Sequence, residues 1–233
     1  MMTTNSVTQN YIGLSGAGLV LSEDQQFQDS NEQTAIKLHK EGKLTEAKII
    51  YEKVFNLDKD KFEVLHLLGT LEAQLGNFVR AIDLLEQASL KKSHLWDTFF
   101  NLGNAYIEID NCDKAIINYK KSLKLNNHND VVYNSLGRAF HYLKNFKEAL
   151  RNYNKAIQIN GNNDKYYFNK GFTLIELKDL EQALECLSQS IKINKKELFY
   201  YYNQGLIQFN LEKYQESLIS FEEVIKISPN FAN

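Results

Sequence analysis

Five glycines, Gly69, Gly103, Gly137, Gly171 and Gly205, follow one another at a constant step of 34 residues, and Ala35 holds the same register one step earlier. A second small-residue series runs twelve residues behind the first: Ala47, Ala81, Ala115, Ala149, Ala183 and Ser217. With glycine at about one residue in twenty, such a recurrence would arise by chance on the order of once in 10⁵, so the chain is an array of one repeated unit.

Each unit reads as two helices. The first carries apolar partners four before and three after the small residue, such as Phe99, Gly103 and Tyr106, or Tyr133, Gly137 and Phe140. The second follows a short polar turn (GNF at 76 to 78, KNF at 144 to 146, KDL at 178 to 180) and places an aromatic or Leu four residues after its own small residue: Tyr51, Leu85, Tyr119, Tyr153, Leu187 and Phe221. Small residues at a helix crossing allow close approach, and the bulky residues a turn away fill the space on either side. The only proline is Pro229, so nothing interrupts the helices.

The spacing of an aromatic or Leu, then L-G-x-x-Y, then A-x-x-x-Y-x-x-A resembles the tetratricopeptide repeat. That resemblance implies an all-α, right-handed α-solenoid of six helix-turn-helix repeats, with about twelve antiparallel-paired helices. Six units fit without a gap, at 28–61, 62–95, 96–129, 130–163, 164–197 and 198–231, as a single domain preceded by a flexible leader over residues 1 to 27. Trp96 stands near the aromatic with which the family opens its first helix, and Pro229 stands where the family ends its second. Glu72 and Gln208 depart from the pattern, where the family prefers Tyr or Leu; Leu71 and Phe209 beside them are expected to take up the packing. The polar first helix DSNEQTAIKLHK is expected to cap one end. At the other end Leu218, Ile219 and Ile225 lack a covering helix, which predicts either continuation into a longer parent protein or self-association and docking there.

At 100° per residue, the positions three before, two before, one after and four after the Gly register form a stripe separate from the packing residues. The resemblance places this stripe on the concave face, where members of the family hold ligands. It begins with Glu32, Gln33, Ile36 and His39, then His66, Leu67, Thr70 and Ala73, and turns aromatic in its second half. The candidate peptide-binding residues are Phe100, Asn101 and Asn104 in the third unit, Asn134 and Arg138 in the fourth, Phe168, Asn169 and Phe172 in the fifth, and Tyr202, Asn203 and Leu206 in the sixth.

Asn101, Asn169 and Asn203 share one register, with Ser135 in the gap. An amide offers a donor and an acceptor together, which suits the backbone of an extended peptide. The row is similar to the asparagine ladder of O-linked N-acetylglucosamine transferase repeats, and is partial, three units of six. Two alternatives stand beside this reading: the amides bond only to the neighbouring helix, and the aromatics pack between adjacent first helices. A two-carboxylate clamp like that of chaperone-binding members is not matched, because Phe100, Ser135, Phe168 and Phe172 replace its residues around Asn104.

Composition narrows the function. A formal net charge of −2, from 27 basic and 29 acidic residues, supplies no field for a polyanion, and the groove stripe lacks a run of cations, so no nucleic acid partner is expected. Cys112 and Cys186 are far apart and read as two core thiols in a reducing, cytoplasmic setting. The run IGLSGAGLVL is too short and glycine-rich for a membrane span, and GLSGAG lacks the Lys-Ser/Thr ending of a phosphate loop. The five histidines are scattered, so no metal, cofactor or catalytic group is expected. The expected function is a non-catalytic scaffold binding a protein or peptide on units three to six; the alternative is a targeting module of a larger enzyme such as a glycosyltransferase.

Overall fold

The computed structural model describes residues 23 to 230, and among these it contains twelve α-helices and no strand. It divides into two compact units after Leu57. The expected leader, including GLSGAG, lies outside the described residues as far as residue 22.

The first unit pairs α1 (Glu23–Lys40) with α2 (Leu44–Leu57). Its first helix starts ahead of the repeat boundary at 28. Ala35 and Ala47 are wholly buried, and Tyr51 packs edge-on to His39 with ring centroids 6.0 Å apart. Thr34, Lys37 and Lys40 are exposed on the polar side of α1.

The second unit contains the remaining five hairpins: α3 (Phe62–Gln74) with α4 (Phe78–Lys91), α5 (Trp96–Glu108) with α6 (Cys112–Leu125), α7 (Asp130–Tyr142) with α8 (Phe146–Ile159), α9 (Asp164–Glu176) with α10 (Leu180–Ile193), and α11 (Leu198–Asn210) with α12 (Tyr214–Ile227). Within it α4, α6, α8 and α10 each also pack on the first helix of the next hairpin, and first helices α3, α5, α7 and α9 touch in succession. The buried side chains gather in successive clusters along the array. The one around α5 and α6 contains Leu85, Phe99, Leu102, Tyr106, Ile116 and Tyr119, continuing to Val132 and Leu136 on α7.

The small-residue register is a matter of clearance. A Cβ on Gly103 would lie 2.4 Å from Cε1 of Tyr119, and one on Gly137 would lie 2.7 Å from the same atom of Tyr153. At Gly205 the obstacle is the Phe221 ring at 2.9 Å; at Gly171 it is the Cys186 Cβ at a milder 3.1 Å. At Gly103, Gly137 and Gly205 the partner ring therefore occupies the space that a Cβ would need.

Six hairpin turns share one backbone solution. Gly42, Gly76, Asp110, Lys144, Lys178 and Glu212 stand at the same register, all with φ between 57° and 81°. The residue after each donates its N–H to the carbonyl five positions back, as Asn145 does to Phe140 at 2.9 Å and Asp179 to Leu174 at 3.0 Å. This is a Schellman ending, which satisfies carbonyls that the helix leaves open. The next helix is then capped at once: Asn111, Asn145 and Asp179 accept from the backbone N–H three residues on.

The two departures from the family pattern resolve differently. Glu72 is fully buried, paired with Arg80 at 3.0 Å and accepting from Asn77 Nδ2 at 2.6 Å, while Leu71 beside it is wholly buried as expected. Gln208 accepts from Ser220 at 2.7 Å, but Phe209 does not fill the core. It is 57 % exposed and meets another exposed ring, Tyr214, edge-on.

Polar nodes join successive hairpins. Asp130, at the start of α7, accepts from Asn160 at the end of α8 and from Tyr166 on α9, both at 2.9 Å. Asp164 repeats this with Asn194 and Tyr200, both at 2.8 Å. Burial pushes both carboxyls up, but the amide and phenol donors outweigh it and hold each below the usual Asp range. The stability they contribute is present above the unfolded-state value of about 4 and is lost as pH falls through the lower native one. Acid titration of the native chain should accordingly show weakening below pH ~4, and an Asp130→Asn, Asp164→Asn variant, less stable at pH 7, should show a smaller acid loss. Equal acid losses in the two proteins, followed by circular dichroism, would exclude these carboxylates as the cause.

On α12, Leu218, Ile219 and Ile225 are 56 %, 60 % and 52 % exposed. The equivalents of Leu218 and Ile225 in the inner hairpins, Ile116 and Leu123, pack against α7. Both cysteines are free thiols, with Cys186 buried and Cys112 half-buried at the start of α6. No helix among the described residues is long and apolar enough to cross a membrane.

Candidate functional site

The first helices of the second unit present the predicted stripe along three neighbouring hollows. The largest, about 560 Å³, lies between α7, α9 and the start of α11. It brings together Asn134, Arg138, Phe168, Asn169 and Phe172, five of the candidates named from sequence. A hollow of about 350 Å³ holds Phe100, Asn104 and, again, Arg138. A third, of about 370 Å³, holds Asn101 and Asn104 with Thr70, Gln74 and Phe78. Tyr202, Asn203 and Leu206 line none of the three.

The asparagines of the shared register each spend one N–H internally. Asn101 donates to Thr70 Oγ1 at 3.0 Å on α3, and Asn169 donates to Asn134 Oδ1 at 2.9 Å on α7. Asn203 turns back to the carbonyl of Phe199 in its own helix at 2.6 Å. Asn104, outside that register, accepts from the Tyr119 hydroxyl at 2.8 Å. An amide nitrogen carries two hydrogens and its oxygen two lone pairs, so Asn101 and Asn169 keep bonding capacity toward the hollows while being held in one rotamer.

The aromatics divide. Phe100 is half-buried, with Trp96 and Tyr119 at 6.2 and 6.0 Å between ring centroids, and packs on the core. Phe168 leans on Tyr200 at 4.9 Å and also packs inward. Phe172 is 41 % exposed, with His141 on one side at 5.5 Å and Phe168 on the other at 6.3 Å. Tyr202 meets Phe221 edge-on, and Leu206 is exposed.

Charge in the largest hollow is uneven. Arg138 donates to the Tyr142 hydroxyl at 3.3 Å, and among the described residues neither it nor Lys165 forms an ion pair with a carboxylate. Glu197 is engaged as the cap of α11, accepting from the Phe199 N–H at 3.3 Å. His141 bonds to Thr173 at 2.8 Å, and burial lowers its pKa, which favours the neutral ring. His66 is held similarly by Thr98 at 3.0 Å, with burial lowering its pKa against the opposing pull of Asp97.

Lys165 and Phe199 were not anticipated in the stripe. Both stand six residues before the Gly register, which at 100° per residue falls at about 120°, within the stripe and one turn nearer the helix start. Extending the same periodicity by one turn would have found them. Among the described residues, no three His, Cys, Asp or Glu side chains gather as metal ligands would.

The architecture and its row of hollows on first helices define an interaction scaffold of the helical-repeat class. Tetratricopeptide repeat models match residues 97–129, 131–163, 152–185 and 198–231, between them more than half of the chain. The chain belongs to the tetratricopeptide repeat family. None of the curated proteins matches the sequence. Among solved structures it is similar to MamA, with 21 % identity over 71 % of this chain and 96 % of that one and a TM-score of 0.67. It is similar also to YrrB, described as a TPR protein with an unusual peptide-binding site, with 20 % identity over 78 % and 94 % and a TM-score of 0.63. The pilF protein of Pseudomonas aeruginosa aligns over 90 % of this chain and 95 % of its own at 13 % identity and a TM-score of 0.75. At these identities the likeness is one of fold.

Proposed function

We propose that this chain is a non-catalytic scaffold whose second unit binds an extended segment of a partner protein along the first helices of units three to six. The observation that carries this is the hollow of about 560 Å³, where amides held in place by their neighbours stand beside an exposed aromatic ring. Asn169 and Asn134 face the segment's backbone, and Phe172 with Phe168 receives an apolar side chain; a mixture of backbone bonding and side-chain pockets is how grooves recognise extended peptides. Tyr202, Asn203 and Leu206, on α11, act at most as an outer extension of this groove.

The test uses peptides selected from a random display library on the immobilised chain. The selected peptides should bind the native chain, and Asn169→Ala combined with Phe172→Ala should weaken them by roughly tenfold or more, the size expected for losing a central aromatic and a backbone anchor. Undiminished affinity with the helical circular dichroism unchanged would overturn the assignment of this hollow.

A further inference from the structure

Resting on that reading, we infer the chemistry of the segment: it carries an Asp or Glu side chain between two apolar residues, with the carboxylate on Arg138. Three observations lead there. Arg138 lines both the hollow of about 560 Å³ and its neighbour of about 350 Å³, so its guanidinium stands where a segment passes from one to the other. On one side of it lie Phe168 and Phe172; on the other lie Phe100 and Ile107, in a hollow that Glu108 also lines. Each hollow thus takes an apolar side chain.

Among the described residues no carboxylate forms an ion pair with this guanidinium; Glu108 lines the smaller hollow with it but is not bonded to it. The guanidinium bonds to the Tyr142 hydroxyl, a neutral group at 3.3 Å, and Lys165 adds a second cation to the larger hollow. The one carboxylate lining that hollow, Glu197, is already turned to the backbone at the start of α11. A guanidinium presents a planar fork of donors that matches a carboxylate, and such a bond is among the stronger polar contacts a groove offers. Charge complementarity therefore favours an acidic segment over a neutral or basic one.

Two sources of a carboxylate are available, a side chain and a chain end. The position of Arg138 between two apolar hollows selects the side chain, because a chain that ended there would leave one hollow unfilled. Lys165, further along the larger hollow, would meet a second acidic residue on that side.

The experiment uses the display-selected peptides, synthesised with acetylated and amidated ends. Peptides with Asp or Glu flanked by Phe, Leu or Ile are expected to predominate. Arg138→Gln should weaken the amidated peptide by roughly tenfold, Arg138→Lys by less, and Lys165→Gln by a smaller factor still. Raised salt should weaken native binding more than that of Arg138→Gln. If selected peptides bind and depend on Asn169 and Phe172 but show no acidic preference and ignore Arg138→Gln, this inference falls while the groove stands. If binding requires a free C-terminus, the side-chain carboxylate is wrong. If no peptide binds the native chain, both readings fall.

Discussion

Gly103→Ala should lower the stability of the array by about 2 kcal/mol, although alanine is the better helix former by nearly 1 kcal/mol. The added methyl would sit 2.4 and 2.6 Å from two atoms of the Tyr119 ring. That ring has little freedom to yield. It is wholly enclosed, its hydroxyl is bonded to Asn104, and Phe100 leans on its face. Gly171→Ala offers the internal comparison, since there the nearest obstacle is the Cys186 Cβ at 3.1 Å, and the gain in helix propensity should leave stability within about 0.5 kcal/mol of native. Urea unfolding of both variants, read against Gly103→Ala with Tyr119→Leu, separates the causes. The double variant should recover part of the loss, and a Gly103→Ala protein as stable as Gly171→Ala would show that clearance is not what the register protects.

Removing the guanidinium beside a buried carboxylate should be about as damaging. The Glu72 side chain is 0 % exposed, whereas Arg80 is 42 % exposed, so Arg80→Ala deletes a surface group and strands an interior charge. Such separations cost about 3–5 kcal/mol when both partners are deep, and the partial exposure of Arg80, with Asn77 still donating to the carboxylate, brings the expected loss to about 2 kcal/mol. Combining Arg80→Ala with Glu72→Leu should return the protein to near-native stability, because an apolar side chain then fills a site that needs no counter-ion. Denaturant midpoints of the two single variants and the double variant form the test, and a double variant no better than Arg80→Ala alone would refute the charge account.

The parts of this architecture that were legible in the sequence are those that depend on a residue's own register. Gly103, Gly137 and Gly205 announced close crossings because clearance requires a small residue at one recurring register, opposite a large one such as Tyr119, Tyr153 or Phe221. The hydrogen bonds of the groove were not legible in this way. Asn101, Asn169 and Asn203 share a position yet bond to a threonine, an asparagine and a backbone carbonyl, because what each meets is set by the preceding helix, where Thr70 and Asn134 occupy different registers. Phe209 was misjudged for a related reason: adjacency in sequence to a non-matching Gln208 does not rotate a side chain some 100° into the core. Glu72 kept the register of a packing residue while changing its chemistry, and its counter-ion lies on the second helix, eight residues on.

The paired Asp130 and Asp164 nodes bear on how such an array comes apart. A stack whose members touch only their neighbours can peel from an end, one hairpin at a time, unless the junctions are strong compared with the hairpins themselves. Each node fastens the opening turn of one hairpin, that hairpin's closing residue and the hairpin after it through a single carboxylate. Fraying at the α11–α12 end therefore cannot stop cleanly at Asp164, since releasing Tyr200 also loosens the tether that holds Asn194. The last three hairpins are in this sense tied in series through two shared carboxylates, so the loss of one hairpin weakens the closure of its neighbour.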